Sequence, residues 1–281
     1  LGSDLNGAAD NDEFGHSIDL NGDGTILAVG TKNASNKTIV YKYDSGSWSL
    51  YGNTIENKVS YETVITETLT TTAGLQIGSD IVGEASQDYS GRAISLSSDG
   101  SILAIGAAHN DDNGDSSGHV RVYQRNTNAA LGWTQLGSAI VGEAEDDISG
   151  ITVSLSGDGT IVAIGAYGND DNGANATHVR IWKRDENAAI GWIQLGNDID
   201  GVGGSSNHTM VCELSSNGST VIIGTPQGQN HARVWQYSNS DMTTGGSWAQ
   251  IGDDIDGKVS SDYFGRCLLY TSPSPRDPHL S

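Results

Sequence analysis

The sequence predicts an all-β fold made of repeated four-stranded units, and two observations lead to this prediction. First, the segment 89–136 returns without a gap as the segment 148–195. Second, a turn glycine recurs at spacings of 76, 59 and 59 residues. The four glycines are Gly24, Gly100, Gly159 and Gly218. Periods in this range are typical of stacked or radial repeat architectures.

One repeat contains four short predicted strands. The first, 92–96, leads into an Asp-Gly turn at Gly100, a strong hairpin signal because such a turn requires a positive φ. The second, 102–107, is continuously apolar, which predicts burial on both faces. The third, 119–123, alternates and is therefore expected to be half exposed. The fourth runs from 133 to 140.

Four short strands in about 59 residues, without helical periodicity, are typical of a propeller blade. We therefore predict a β-propeller of four-stranded antiparallel blades, with about four complete blades in this chain. The blades are expected to start near residues 12, 88, 147 and 206, and a fifth is truncated at 262. An insertion within 48–73 separates the first two copies, either as an extra hairpin or as a protruding recognition element.

The composition excludes several classes of partner. The 281 residues carry a net charge of −21, which disfavours nucleic acid and anionic membranes as partners. No apolar run approaches the roughly 18 residues of a membrane span, so no membrane insertion is expected. The composition gives no oligomeric state. Cations and basic surfaces remain plausible partners.

Both ends of the sequence are unusual. Residues 1–5 match residues 136–140 inside a repeat, so we expect the chain to begin within a repeat. Residues 267–281 match the translation of a transposase-type sequencing adapter, and we interpret them as a non-native tail. That tail holds one of the two cysteines, which leaves Cys212 alone in the native part. Cys212 occupies the place of Val153 and is predicted to be a small buried strand residue.

Several short motifs carry a family resemblance over residues 1–266. They are Phe14-Gly15, Gly106-Ala107 and the Asn-Asp-Asp-Asn-Gly loop 110–114 before the strand 119–123. Together they resemble FG-GAP repeats, which build integrin-α-like propellers. The resemblance implies a fragment of a seven-bladed ring from an extracellular or cell-surface protein. It also implies a binding or adhesion module for a protein or glycan ligand, without enzymatic activity.

The alternative is an enzyme. The chain would then be a propeller hydrolase or lyase acting on polysaccharide, or a non-catalytic propeller attached to a missing enzyme domain. No His-Glu-x-x-His, Gly-x-Ser-x-Gly or phosphate-loop motif is present. A repeat-breaking cluster of carboxylates near the central axis would favour the enzyme.

The acidic loops are the predicted binding face. In a four-stranded blade, the loop between the second and third strands emerges on the same side as the link to the next blade. The predicted ligand-binding residues are Asp111, Asp112, Asp115, Asp170 and Asp171. The predicted ligands of a Ca²⁺ ion are Asp111, Asp112, Asn113, Asp170, Asp171 and Asn172. The alternative is a solvated acidic surface that keeps the protein soluble.

Residues that recur in every blade are interpreted as scaffold, because their copies are displaced around the ring and cannot converge. This interpretation covers the histidines, arginines and tryptophans of the third and fourth strands. They are His119, His178, His231, Arg121, Arg180, Arg233, Trp133, Trp192 and Trp248. The hairpin 19–24 resembles the start of a calcium loop, but a plain turn is favoured, since Leu27 stands where a later Asp is needed.

Overall fold

The computed structural model describes most of the chain between residues 13 and 266. The described residues are 5, 13–31, 37–44, 47–50, 80–126, 128, 132–171, 173–174, 176–201, 210–226, 230–258 and 264–266. Within these ranges every regular element is a β-strand, and the strands form four antiparallel sheets. The predicted insertion lies almost wholly outside the described residues, and the predicted tail lies wholly outside them.

Each sheet contains five strands. The first holds β1 (Ser17–Leu20), β2 (Ile26–Gly30), β3 (Lys37–Asp44), β4 (Ser47–Leu50) and β5 (Ile81–Val82). The second holds β6 (Ala93–Leu96), β7 (Ile102–Ala107), β8 (His119–Arg125), β9 (Trp133–Gln135) and β10 (Ile140–Val141). The third holds β11 (Ser149–Leu155), β12 (Ile161–Ala166), β13 (His178–Arg184), β14 (Trp192–Gln194) and β15 (Ile199–Asp200). The fourth holds β16 (Val211–Leu214), β17 (Thr220–Thr225), β18 (His231–Tyr237), β19 (Trp248–Gln250) and β20 (Ile255–Asp256).

All four sheets share one antiparallel plan, and we call each sheet a blade. The first three strands pair in chain order, and two short strands pair side by side with the third. This arrangement confirms the predicted all-β fold of propeller blades. The predicted continuous fourth strand, 133–140, is wrong in detail, because it is divided into β9 and β10.

The division of the fourth strand has a physical cause at Gly137. This glycine has a φ of +69°, which turns the chain out of the sheet. The backbone N–H of Ser138 then donates to the carbonyl of Ile190 in the next blade at 2.8 Å. The Nε1–H of Trp192 donates to the carbonyl of Leu136 at 2.9 Å. The interruption therefore serves the contact between blades.

The third strand is more buried than its alternating sequence predicts. In β8 the side chains from His119 to Tyr123 are all buried. Val120 and Val122 pack in a core with the third blade, whereas Tyr123 packs in a core with the first. The predicted half-exposed strand is wrong because neighbouring blades cover both faces.

The blades are arranged radially, with their first strands innermost. The first strands of successive blades contact one another. Backbone hydrogen bonds also join the turns that follow these strands, each linking one blade to the next. They run from Gly22 N–H to the Ser98 carbonyl (2.8 Å), from Ser98 N–H to the Gly157 carbonyl (2.8 Å) and from Gly157 N–H to the Ser216 carbonyl (2.7 Å).

Close backbone contacts between blades explain some of the repeated glycines. A Cβ at Gly106 would lie 2.1 Å from the carbonyl oxygen of Gly150 in the next blade. A Cβ at Gly30 would meet the carbonyl oxygen of Gly91 in the same way. These positions require glycine because the neighbouring atoms are backbone and cannot move aside.

Candidate functional site

One position on the inner edge of the blades departs from the repeat. It is the residue before the last leucine of each first strand, and we call it the inner-edge position. Its four occupants are Asp19, Ser95, Ser154 and Glu213. Two blades therefore carry serine there, and two carry a carboxylic acid.

Three of these side chains make the same structural hydrogen bond. Each accepts a hydrogen bond from the backbone N–H of the leucine that ends the first strand of the next blade. The bonds join Asp19 Oδ2 to Leu96 N (2.5 Å), Ser95 Oγ to Leu155 N (3.0 Å) and Ser154 Oγ to Leu214 N (2.9 Å). The position therefore has a scaffold role, and an acid there adds a second carboxylate oxygen.

The environment of Glu213 makes its carboxyl group unusually basic. The pKa of Glu213 is raised to about 7, mainly by burial and also by the negative charge of Asp19, while a hydrogen bond from Ser154 opposes the rise. Burial also raises the pKa of Asp19, against the lowering effect of the Leu96 and Leu20 N–H groups. The two acids belong to the first and fourth blades, so their electrostatic interaction reflects the convergence of the inner strands.

Sequence reasoning assigned no function to either acid. Asp19 was considered only as the first residue of a calcium-like hairpin. In the structure that turn holds itself together, because Asn21 Oδ1 accepts the N–H groups of Thr25 and Ile26 at 2.8 and 2.7 Å. The available signal was the substitution of serine by carboxylates at two of four equivalent positions.

The predicted acidic loops lie where the third strands begin, on a surface that we call the rim. Asp112 and Asp171 each come close to the histidine that opens the third strand of their blade. Asp111 Oδ1 accepts the N–H of Ser116 at 2.8 Å, whereas Asp115 and Asp170 are exposed and join neither histidine group.

The two predicted asparagine ligands have different outcomes. Asn113 donates from Nδ2 to the carbonyl oxygens of Gly142 and Glu143, both at 2.9 Å. Its amide nitrogen therefore fixes the link between blades. Asn172 lies outside the described residues.

Among the residues that the structure describes, three groups of acidic and histidine side chains on the rim could hold a metal ion. In each group the potential ligand atoms lie within 4.8 Å of one another. The groups are Glu84, Asp112 and His119; Glu143, Asp171, His178 and Asp198; and His231, Asp254 and Asp256. Glu84 and Glu143 come from the links between blades, which are predicted to emerge on the same side as the acidic loops. The histidines are interpreted as scaffold from the sequence, and Asp198, Asp254 and Asp256 are not predicted from it.

The electrostatics of the groups differ between blades. In the third, burial and the charge of Arg180 lower the pKa of His178, and burial raises the pKa of Glu143. In the fourth, Arg233 forms a two-bond ion pair with Asp254 at 2.9 and 2.8 Å. This pairing lowers the pKa of Asp254 to about 2.

Cys212 and two of the repeated tryptophans are packing residues. Cys212 is 1% exposed, and burial raises the pKa of its thiol to about 12. Trp133 and Trp192 are also buried. No described helix is long and apolar enough to cross a membrane.

Solved structures similar to this chain include propeller-like proteins. A periplasmic gluconolactonase of Pseudomonas aeruginosa is 15% identical with a TM-score of 0.51, and 87% of this chain and 58% of that chain are covered. A candidate 6-phosphogluconolactonase of Bacteroides fragilis is 16% identical with a TM-score of 0.49, covering 86% of this chain and 54% of that chain. Saccharomyces cerevisiae Sqt1 is 14% identical with a TM-score of 0.45, covering 86% and 48%.

The likeness to the Pseudomonas aeruginosa gluconolactonase, with a TM-score of 0.51 and 15% identity, supports the fold alone. The chain spans between 48% and 58% of the length of these three proteins. No family model matches the chain, and no curated protein matches it.

The comparisons correct three predictions. The resemblance to integrin-α-like FG-GAP repeats is wrong, since no family model matches and the similar structure with a TM-score of 0.51 is named a gluconolactonase. The glycines behind that resemblance, such as Gly106, are required by close contacts between blades. The predicted adhesion function and the predicted absence of enzymatic activity are also corrected, because the similar structure with a TM-score of 0.51 is named a gluconolactonase.

Proposed function

We propose that this chain belongs to a β-propeller hydrolase in which Glu213 is the acid–base group. The observation that carries the proposal is the pair of carboxylic acids, Asp19 and Glu213, at the inner edge of the blades where Ser95 and Ser154 stand elsewhere. The inner strands of a propeller surround its central channel, a common place for a substrate.

The raised pKa of Glu213, about 7, suits acid–base chemistry at neutral pH. Near that pH the group is present in both protonation states, so it can accept a proton and return it. Asp19 contributes by its charge, which helps to hold the pKa of Glu213 high. Two acids with different environments are the usual arrangement for dividing such roles.

The first substrate class to test is the lactone of a sugar acid, because two similar structures are named for such substrates. In this reaction Glu213 would take a proton from water as the water oxygen bonds to the lactone carbonyl carbon. The ring C–O bond then breaks, and the proton passes to the leaving oxygen. Polysaccharide remains the second substrate class, since carboxylate pairs also cleave glycosidic bonds.

The test compares hydrolysis rates in the longest native chain that contains residues 1–266. We expect Glu213→Gln to lower kcat for δ-gluconolactone or its 6-phosphate by at least ~100-fold. Glu186→Gln is the matched control, because the side chain of Glu186 is 79% exposed and pairs only with Arg184 at the surface. An unchanged rate in Glu213→Gln would reject the role of Glu213. Activity on glycosides alone would change the substrate class.

The rim supports a separate proposal for the predicted binding face. We propose that the exposed carboxylates of the second-to-third-strand loops bind Ca²⁺ weakly. The oxygen ligands available there suit this ion, and a dissociation constant near ~1 mM would be typical of an exposed extracellular site. Calorimetric titration with Ca²⁺ tests this, and no heat at millimolar concentrations would reduce the loops to surface charge. The residues concerned are Asp111, Asp112, Asp115 and Asp170.

We also propose that the protein functions outside the cytoplasm and that its ligand is a carbohydrate rather than a protein. One similar structure is named as periplasmic, and both lactonase names refer to sugar acids. Fractionation of the source cells tests the location. Recovery of the native protein in the cytosolic fraction would reject it.

A further inference from the structure

The rim of the third blade gathers four potential metal ligands from four separate segments. They are Glu143, Asp171, His178 and Asp198, and we call them the third-blade cluster. Glu143 lies in the link that follows β10, Asp171 in the loop before β13, His178 at the start of β13 and Asp198 just before β15. Their ligand atoms lie within 4.8 Å of one another.

His178 is the unusual member of this cluster. It is 0% exposed, and neither Nδ1 nor Nε2 has a hydrogen-bond partner. A buried imidazole without hydrogen bonds is costly, because water can no longer satisfy its polar atoms. Nothing among the described hydrogen bonds offsets the burial of the Nδ1 atom of His178.

Nδ1 of His178 points at two carboxylates. It lies 3.5 Å from Asp198 Oδ2 and 3.7 Å from Glu143 Oε2. Both separations are long for hydrogen bonds. They are close to the ~3.4 Å expected between ligands around one tetrahedral ion with bonds of about 2.1 Å.

In the first and fourth blades, the carboxylate at the position of Asp198 is paired with a lysine or an arginine of the protein itself. In the first, Lys37 replaces the histidine and its Nζ lies 3.0 Å from Asp80. In the fourth, Arg233 holds Asp254 through two hydrogen bonds. In both blades a positively charged side chain therefore lies beside this carboxylate.

The second blade differs again. His119 Nδ1 is hydrogen-bonded to Asp112 Oδ2 at 2.9 Å, and Ala139 stands where the third blade has Asp198. In the third blade, Nη1 of Arg180 lies 3.4 Å from Oε1 of Glu143. The other carboxylate oxygen, Oε2, faces His178. Among the described rim groups, this one alone combines three carboxylates with a histidine that has no hydrogen bond.

We propose that the third-blade cluster binds a divalent transition metal ion, with Zn²⁺ as the first candidate, through His178 Nδ1 and the carboxylates of Glu143, Asp171 and Asp198. A mixed imidazole and carboxylate set suits Zn²⁺ better than Ca²⁺, which takes oxygen ligands. Because Glu143 belongs to the link from the second blade, the ion would join the second blade to the third. This site is separate from the inner-edge acids.

Calorimetry and thermal unfolding with ZnCl₂ on metal-stripped protein test the proposal. We expect one Zn²⁺ per chain and a rise in Tm. Asp198→Ala, which installs the residue that the second blade carries, should weaken Zn²⁺ binding at least 10-fold. Glu186→Ala, which removes a carboxylate 79% exposed at the surface and outside every rim group, is the control and should leave it within two-fold.

Three results would overturn the proposal. They are no Zn²⁺ binding at 1 mM by either measurement, unchanged binding in Asp198→Ala, and tighter binding of Ca²⁺ than of Zn²⁺ at this site. His178→Ala should also abolish binding. Asp198→Ala keeps the test decisive if loss of the buried His178 prevents folding, since the Asp198 side chain is 20% exposed and lies on the rim.

Discussion

The inner edge and the rim of the fourth blade hold acids with opposite properties. Glu213, on the inner edge, has a pKa of about 7, whereas Asp254, on the rim, has a pKa of about 2. Burial near another negative charge disfavours the ionised form of Glu213. Arg233 and Gln250 donate hydrogen bonds to Asp254 and favour its ionised form. The blade therefore holds one carboxyl group with a pKa near neutrality and keeps the other ionised.

The largest expected effect concerns the scaffold of the rim. Arg180 is 4% exposed, and its Nη2 donates to the carbonyl of Val141 in the preceding blade at 2.8 Å. Arg180→Ala should lower the free energy of unfolding by about 2–4 kcal/mol, because it removes a buried side chain together with its hydrogen bond to the Val141 carbonyl. Denaturant unfolding measures this. Arg184→Ala, at an exposed ion pair with Glu186, should change it by less than ~0.5 kcal/mol, and equal effects would contradict the prediction.

The next effect is a gain of stability at the inner edge. Glu213→Ser restores the residue of the second and third blades. Because the folded pKa of Glu213 is raised from 4.5 to about 7, its stabilising contribution is complete below pH 4.5 and is lost as the pH rises through 7. We expect the variant to be about 1–3 kcal/mol more stable than wild type at pH 8, with little difference at pH 4.5. Denaturant unfolding at the two pH values measures this.

Asp254→Ser on the rim gives the opposite sign. The folded pKa of Asp254 is lowered from 3.8 to about 2, so its contribution is present above pH 3.8 and is lost as the pH falls through 2. Since the side chain is 30% exposed, solvent screening limits the expected loss at pH 7 to ~0.5–1 kcal/mol. Changes of the same sign in both variants would contradict the comparison between the two regions.

The smallest expected effect is a shift of the pKa of Glu213. Asp19→Asn keeps an oxygen for the N–H of Leu96 but removes the charge that raises this pKa. The pKa of Glu213 should fall by about 0.5 unit, measured by NMR titration of its carboxyl carbon. A rise would show that Asp19 acts through its hydrogen bond rather than through its charge.

The sequence predicted the blades because each strand, turn and repeat is encoded locally. The Asp-Gly turns and the apolar second strands, such as 102–107, match the structure residue for residue. The exposure of the third strand could not be predicted, because the burial of His119 and Tyr123 depends on the two adjacent blades. Alternation within one strand does not report contacts on both of its faces.

The candidate site was harder to predict because its residues are distant in sequence. Asp19 and Glu213 interact only after four first strands converge. Asp171 was predicted as a binding residue, but its neighbours His178 and Asp198 come from another loop and another strand. The interpretation of repeated residues as scaffold correctly assigned Trp192 to packing. The same interpretation did not predict that the histidine opening the third strand has different partners in different blades.

We propose that Glu213, a carboxyl group with a pKa near neutrality at the inner edge, performs acid–base chemistry. The most direct measurement is the pH dependence of kcat/KM for lactone hydrolysis by the longest native chain that contains residues 1–266. We predict a loss of activity below an inflection near pH 7, and the same inflection about 0.5 unit lower in Asp19→Asn. An inflection near pH 4, or a profile that Glu213→Gln leaves unchanged, would contradict the claim.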